Sequence, residues 1–269
     1  MPTVTADFYA DWIDILRQKL TAAGFAPPPG ENPQRICFRY FNLRNRGVRA
    51  KPRKVERAQG FVPPAHLQKG VDLVQQKFEK GDDLRPHLST KITDPNFDDD
   101  LLSDWGILHL HAGINPHPSK PSFVERTEPV LAVKVEDARA LFLDMVQHGQ
   151  WNKQRMIEIL HHNWPDSLML CRCENVIDIR YTPSDDDIRK LRKGHISSFV
   201  KTQDGTVYAP PGGGITLAGG STRVVIECGK YAQQFRRQQR DLERRAQELI
   251  DRAAKRGIQP TDNLSRNAK

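Results

Sequence analysis

No run among the 269 residues approaches the roughly 18 apolar positions that a membrane-crossing helix requires, and Met1 to Ala10 lacks the basic and apolar zones of a secretory leader. Both absences point to a cytosolic location with no membrane association. Cysteine is sparse: Cys37, Cys171, Cys173 and Cys228 show neither Cys-x-x-Cys spacing nor the density of a disulfide scaffold. Cys171 and Cys173 alternate with Leu170 and Arg172 in an expected strand, so they read as reduced, partly buried thiols rather than zinc ligands. The Gly-x-Ser-x-Gly, His-Glu-x-x-His, kinase, EF-hand and P-loop patterns are all missing, and there is no internal repeat. Carboxylates are also in deficit, with 33 Asp and Glu against 41 Lys and Arg for a formal charge of +8. Such a balance favours anionic partners, of which nucleic acid is the commonest.

The chain that remains reads as α+β: an antiparallel sheet with flanking helices and a long basic C-terminal helix. Three parts are expected: 1–62 (N-terminal helix, strand and basic arm), 63–229 (core) and 230–269 (C-terminal helix and polar tail). Phe8, Trp12, Ile15 and Leu16 recur at helical spacing over residues 6–23. Ile36 to Leu43 reads as a strand leading into a basic arm, where Arg44, Arg46, Arg49, Lys51, Arg53 and Lys54 are candidate nucleic-acid contacts and Phe38, Tyr40 and Phe41 candidate stacking partners. Leu67, Val71, Val74 and Phe78 mark another helix. Val130 to Val135 and Leu141 to Val146 form an expected antiparallel hairpin. Further helices are expected through His161 and after Ser184, and further strands at Leu168 to Ile179 and Arg223 to Glu227. Ile196 to Val200 and Thr206 to Ala209 read as a second hairpin, and the glycines between Pro210 and Thr222 as a flexible loop.

The chemistry concentrates in Trp105-Gly106-Ile107-Leu108-His109-Leu110-His111, read as a strand. Side chains alternate along a strand, so His109 and His111 share a face, about 6–7 Å apart from twice the strand rise. Two such imidazoles can supply an acid and a base near neutral pH, or two nitrogen ligands to a metal. Asp98, Asp99, Asp100 and Asp104 are the carboxylates that would complete a metal site, although Asp98 to Asp100 also suit a helix first turn. The plain alternative is a half-buried strand with hydrogen-bonded histidines. Arg126, Lys134 and His148 are expected on the same surface, His148 through the phase it shares with Phe142, Asp144 and Val146, with Trp151 covering an edge. His161 and His162 fall in a helix last turn, where the dipole favours cationic histidine.

The block Leu101 to His111, followed by Arg126-Thr127 and His148-Gly149-Gln150-Trp151, resembles a group of uncharacterised bacterial proteins with a Trp-Gly-Ile-x-His-Leu-His type motif, over roughly residues 67–165. At the level of fold it resembles the RelE-like and EndoU-like ribonucleases of bacterial toxins. That resemblance implies metal-independent RNA cleavage with His109 and His111 as acid and base and Arg126 or Lys134 as phosphate clamp, in a toxin or phage-defence effector. RNA is the preferred partner and a cognate protein inhibitor a second; no cofactor is expected. The competing expectation is a non-catalytic nucleic-acid-binding or protein-interaction module with structural histidines.

Overall fold

The computed structural model describes residues 6–176 and 178–257; the tail after Pro260 lies outside them. Helices α1 (Phe8–Ala22) and α2 (Pro33–Arg46) precede strand β1 (Lys54–Arg57), helix α3 (Gln68–Lys80), helix α4 (Asp100–Trp105) and strand β2 (Leu108–Leu110). Strands β3 (Pro116–His117), β4 (Lys120–Val124), β5 (Val130–Val135) and β6 (Arg139–Val146) follow. Helices α5 (Arg155–Asn163) and α6 (Asp185–Lys193), strands β7 (Val200–Lys201) and β8 (Val207–Tyr208), and helix α7 (Thr222–Lys255) complete the order. The fold is α+β with a long, arginine-rich C-terminal helix.

Contacts divide the chain into two units, one drawn from segments 1–40 and 226–269, the other spanning Phe41–Val225. The breaks expected at 62 and 230 fall instead at 40 and 225. In the smaller unit Trp12 of α1 stacks on Tyr231 at 5.5 Å and packs against Phe235. Cys37 and Cys228 are joined there by a disulfide, a pairing across 191 positions that no local spacing signals.

The larger unit is built on a four-stranded sheet in the order β1-β6-β5-β2. The β5–β6 hairpin is antiparallel and β2 adds antiparallel to β5, while β1, from the segment expected to be a basic loop or arm, pairs parallel to β6. Both faces are covered. Leu131, Val133, Ala140 and Phe142 pack against Val71, Val74 and Phe78 of α3. On the other face, Val130, Ala132, Leu141 and Leu143 pack with Trp105 of α4, Met156 and Leu160 of α5 and Ile188 of α6. A bulge at Leu143, between the pairs Ala132↔Asp144 and Val133↔Phe142, shifts the alternation along β6.

Three expected strands are not strands. Ile36 to Leu43 lies within α2, where Pro33 occupies the first turn and Ile36, Cys37 and Phe41 form the buried stripe. Arg223 to Glu227 opens α7, whose buried Val224 and Cys228 stand one turn apart. Pro165–Cys171 is a 3-10 turn that leaves Leu170 exposed, and beyond it Arg172 makes an isolated bridge to Tyr208.

Candidate active site

The site begins at the end of α4. Asp99 accepts the Leu102 N–H through Oδ1 at 3.0 Å and caps the helix, and Gly106, at φ 70°, ends it in the left-handed conformation that side chains disfavour. Trp105 and Gly106 therefore belong to the helix and its cap rather than to the strand. The chain turns into β2, where His109 sits opposite Ala132 and projects from the α5-facing side of the sheet. His111, one residue past β2, is gripped at its own peptide: its N–H donates to the His87 carbonyl and its carbonyl accepts from His87 Nδ1, both at 2.8 Å.

A third imidazole arrives from the loop after β6. Val146 keeps to the same face as Val130, so the chain leaving β6 delivers His148 to the two strand histidines; Phe142, beyond the bulge, faces the other way. Ring centroids are separated by 6.3 Å for His109–His111, 5.9 Å for His109–His148 and 5.3 Å for His111–His148. Trp151 stacks on His109 at 4.6 Å and 25° and meets His148 edge-on at 5.4 Å. Four aromatic rings thus converge, with His111 buried, His109 and Trp151 half-buried and His148 exposed.

The two strand histidines differ in electrostatic setting. The Thr127 N–H donates to His111 Nδ1 at 3.0 Å, so neutral His111 carries its proton on Nε2. Burial, reinforced by the nearby Arg126 charge, pushes its pKa down to about 3. Burial also lowers the pKa of His109, against the opposing pull of Asp99. Asp99 Oδ2 lies 3.9 Å from His109 Nδ1, too long for a hydrogen bond but close enough to favour the tautomer that leaves Nε2 as acceptor. A cavity of about 20 Å³, lined by Asp99, His109, Arg46, Phe97 and Leu88 among others, adjoins this contact.

The other expected site residues lie elsewhere or do other work. Arg126 makes four hydrogen bonds to the carbonyls of Pro86, Leu88 and Val124; it is a fixed charge beside His111, not a free phosphate clamp. Lys134 projects from the face it was expected to use, but that face is core: the residue is 9% exposed and burial lowers its pKa. A Cβ on Gly106 would stand 3.4 Å from its Nζ.

The basic arm is largely structural. Arg46, 4% exposed, donates to the carbonyls of Lys91 and Asp94, and Arg53, 7% exposed, to those of Glu136, Arg49 and Lys51. Lys51 pairs with Asp137 and Lys54 with Glu56. Arg44 lies 4.4 Å over the Phe41 ring, and Arg49 is exposed.

Asp104 is bound to Arg192 at 2.8 Å and so is committed elsewhere. Among the described residues no three His, Cys, Asp or Glu side chains are arranged to hold a metal ion. The glycine loop packs on α4, with Gly212 and Gly214 donating to the Asp104 and Ser103 carbonyls, which occupies the amides a phosphate would need. His161 and His162 lie in the last turn of α5 as expected, and His161 in addition bridges Tyr208 and Asp204.

The sequence gives no sign of His87 or Arg192, and it marks Asp99 as a metal carboxylate rather than as the group facing His109 Nδ1. The first two act across 24 and 88 positions, and only the acidic run before Leu101 carried a local signal. No family model matches the chain, and neither does any curated protein or solved structure.

Proposed function

We propose that the chain is a metal-independent ribonuclease that cleaves RNA by transferring the 2′-oxygen onto the adjacent phosphorus. The observation that carries this reading is the convergence of three imidazoles in three different settings on one sheet face. His109, neutral through burial and oriented by Asp99, takes the proton of the 2′-hydroxyl at Nε2. The 2′-oxygen bonds to phosphorus as the bond from phosphorus to the 5′-oxygen breaks. His148, exposed to solvent, donates the proton that the leaving 5′-oxygen needs. His111 cannot share either role, because its Nδ1 is occupied and its low pKa keeps it neutral; its Nε2–H instead donates to a non-bridging phosphoryl oxygen. The acid expected at His111 thereby passes to His148. Arg126 contributes a fixed positive charge from behind His111.

Cytoplasmic RNA is the proposed substrate pool, and a toxin or phage-defence setting with a protein inhibitor fits such an activity. The test is cleavage of end-labelled RNA in EDTA beside the same oligonucleotide with 2′-deoxyribose throughout. Cleavage confined to the ribose substrate, leaving 2′,3′-cyclic phosphate ends, is expected. Equal cleavage of both, or cleavage abolished by EDTA, would overturn the reading.

A further inference from the structure

The loop after β6 brings two of the four rings to the site, and an exposed loop does not hold a ring to a fraction of an ångström without support. The support comes from α6, which grips residues 151–154 at both of its ends. At its start, the Asp185 carbonyl accepts from Asn152 Nδ2 at 2.6 Å, Asp185 Oδ1 accepts the Gln154 N–H at 3.0 Å, and its Oδ2 pairs with Lys153 at 3.3 Å. At its last turn, Arg192 donates through Nη1 to the carbonyl of Trp151 itself. The guanidinium is fixed in turn: it is 5% exposed, Nε donates to Asp104 Oδ2 at 2.8 Å, and its plane lies 4.2 Å over Trp105. Asp104 and Trp105 belong to α4, whose cap is Asp99, the carboxylate facing His109. One arginine therefore ties the helix that orients His109 to the backbone of the tryptophan that covers it.

Resting on the ribonuclease reading of this site, we infer that Arg192 is a positioning residue: it holds Trp151 stacked on His109 by joining the Trp151 carbonyl to Asp104. A buried charge pair is costly to assemble and often no more stabilising than an apolar contact. A planar fork can satisfy a carboxylate and a carbonyl at once, which an ammonium at the end of a flexible stem does not reproduce. Arg192→Lys keeps the charge opposite Asp104 while giving up that geometry.

The experiment measures Arg192→Lys in the full chain by circular dichroism, by RNA cleavage, and by NMR titration of the histidines. A folded variant is expected with kcat lowered at least about tenfold, KM within about twofold, and His109 titrating at higher pH than in the native protein as its ring is uncovered. Trp151→Ala should move His109 in the same direction. If Arg192→Lys does not fold, the double variant Asn152→Ala, Asp185→Ala, which cuts the ties at the other end of α6, carries the test through the same titration. Native kcat together with a native His109 titration in the folded variant would overturn the inference. The titration is independent of catalysis: should the native protein cleave no RNA, the ribonuclease reading fails while an Arg192-dependent His109 titration still establishes the positioning.

Discussion

At the scale of single residues, the site turns on which nitrogen of each imidazole holds a proton. His111 is the best determined, because a backbone N–H aimed at Nδ1 admits one neutral tautomer. Nitrogen-15 NMR should show His111 protonated at Nε2 alone and without titration above about pH 4, given its pKa of about 3; a midpoint near 6.5 would contradict the assignment. The spacing of His109 and His111 was legible in the sequence, since two residues of strand carry a fixed rise and the same face, and the rings stand 6.3 Å apart. Their inequality was not. It comes from Thr127 and Asp99, which local alternation says nothing about.

At the scale of elements, the β5–β6 hairpin, α1, α3 and α6 were readable because period and punctuation agreed in each, with Ser184 and Asp187 forming a capping box at α6. Ile36 to Leu43 and Arg223 to Glu227 were misread for one reason: dense apolar and β-branched residues suggest a strand, whereas the positions that bury, Cys37 with Phe41 and Val224 with Cys228, follow helical spacing. The basic arm shows the same limit for charge. Arg46 and Arg49 look equivalent in sequence, yet one is buried and donates to the Lys91 and Asp94 carbonyls while the other is exposed. Arg46→Ala should cost about 2–3 kcal/mol in denaturant unfolding by stranding those carbonyls, whereas Arg49→Ala should stay within about 0.5 kcal/mol. Similar values for both would remove the distinction.

A second test belongs to α3, whose Gly70 meets the segment just past His111. A Cβ there would lie 1.7 Å from the Ala112 carbonyl oxygen. Gly70→Ala should therefore destabilise by about 1–3 kcal/mol despite its better helix propensity. A gain in stability would mean that α3 does not approach the β2 segment so closely.

For the whole molecule, buried neutral histidines make stability depend on pH with a definite sign. His87, His109 and His111 all have lowered pKa values, burial being the largest cause for each. Between the ordinary histidine value of about 6.5 and the depressed folded values, the unfolded chain binds more protons, so stability is complete above about pH 6.5 and falls as the pH drops towards about 3. Half-buried Asp98 and exposed Asp100, whose pKa values are raised chiefly by partial desolvation, act in the opposite sense. His111→Asn isolates one contribution: its unfolding free energy should decline less steeply than that of the native protein on acidification, by up to about 1.4 kcal/mol per pH unit. Identical slopes would show that His111 is protonated in the fold.

Cleavage of ribose-containing RNA in EDTA by the native protein and by His109→Ala, His148→Ala and His111→Ala tests the central claim most directly. Acid–base catalysis by His109 and His148 predicts losses of about 10²–10⁴ in kcat for those two. It predicts a smaller loss for His111→Ala with the pH optimum unmoved, because His111 donates a hydrogen bond without exchanging a proton. Undiminished cleavage by His109→Ala and His148→Ala would contradict the mechanism and leave the three imidazoles as packing.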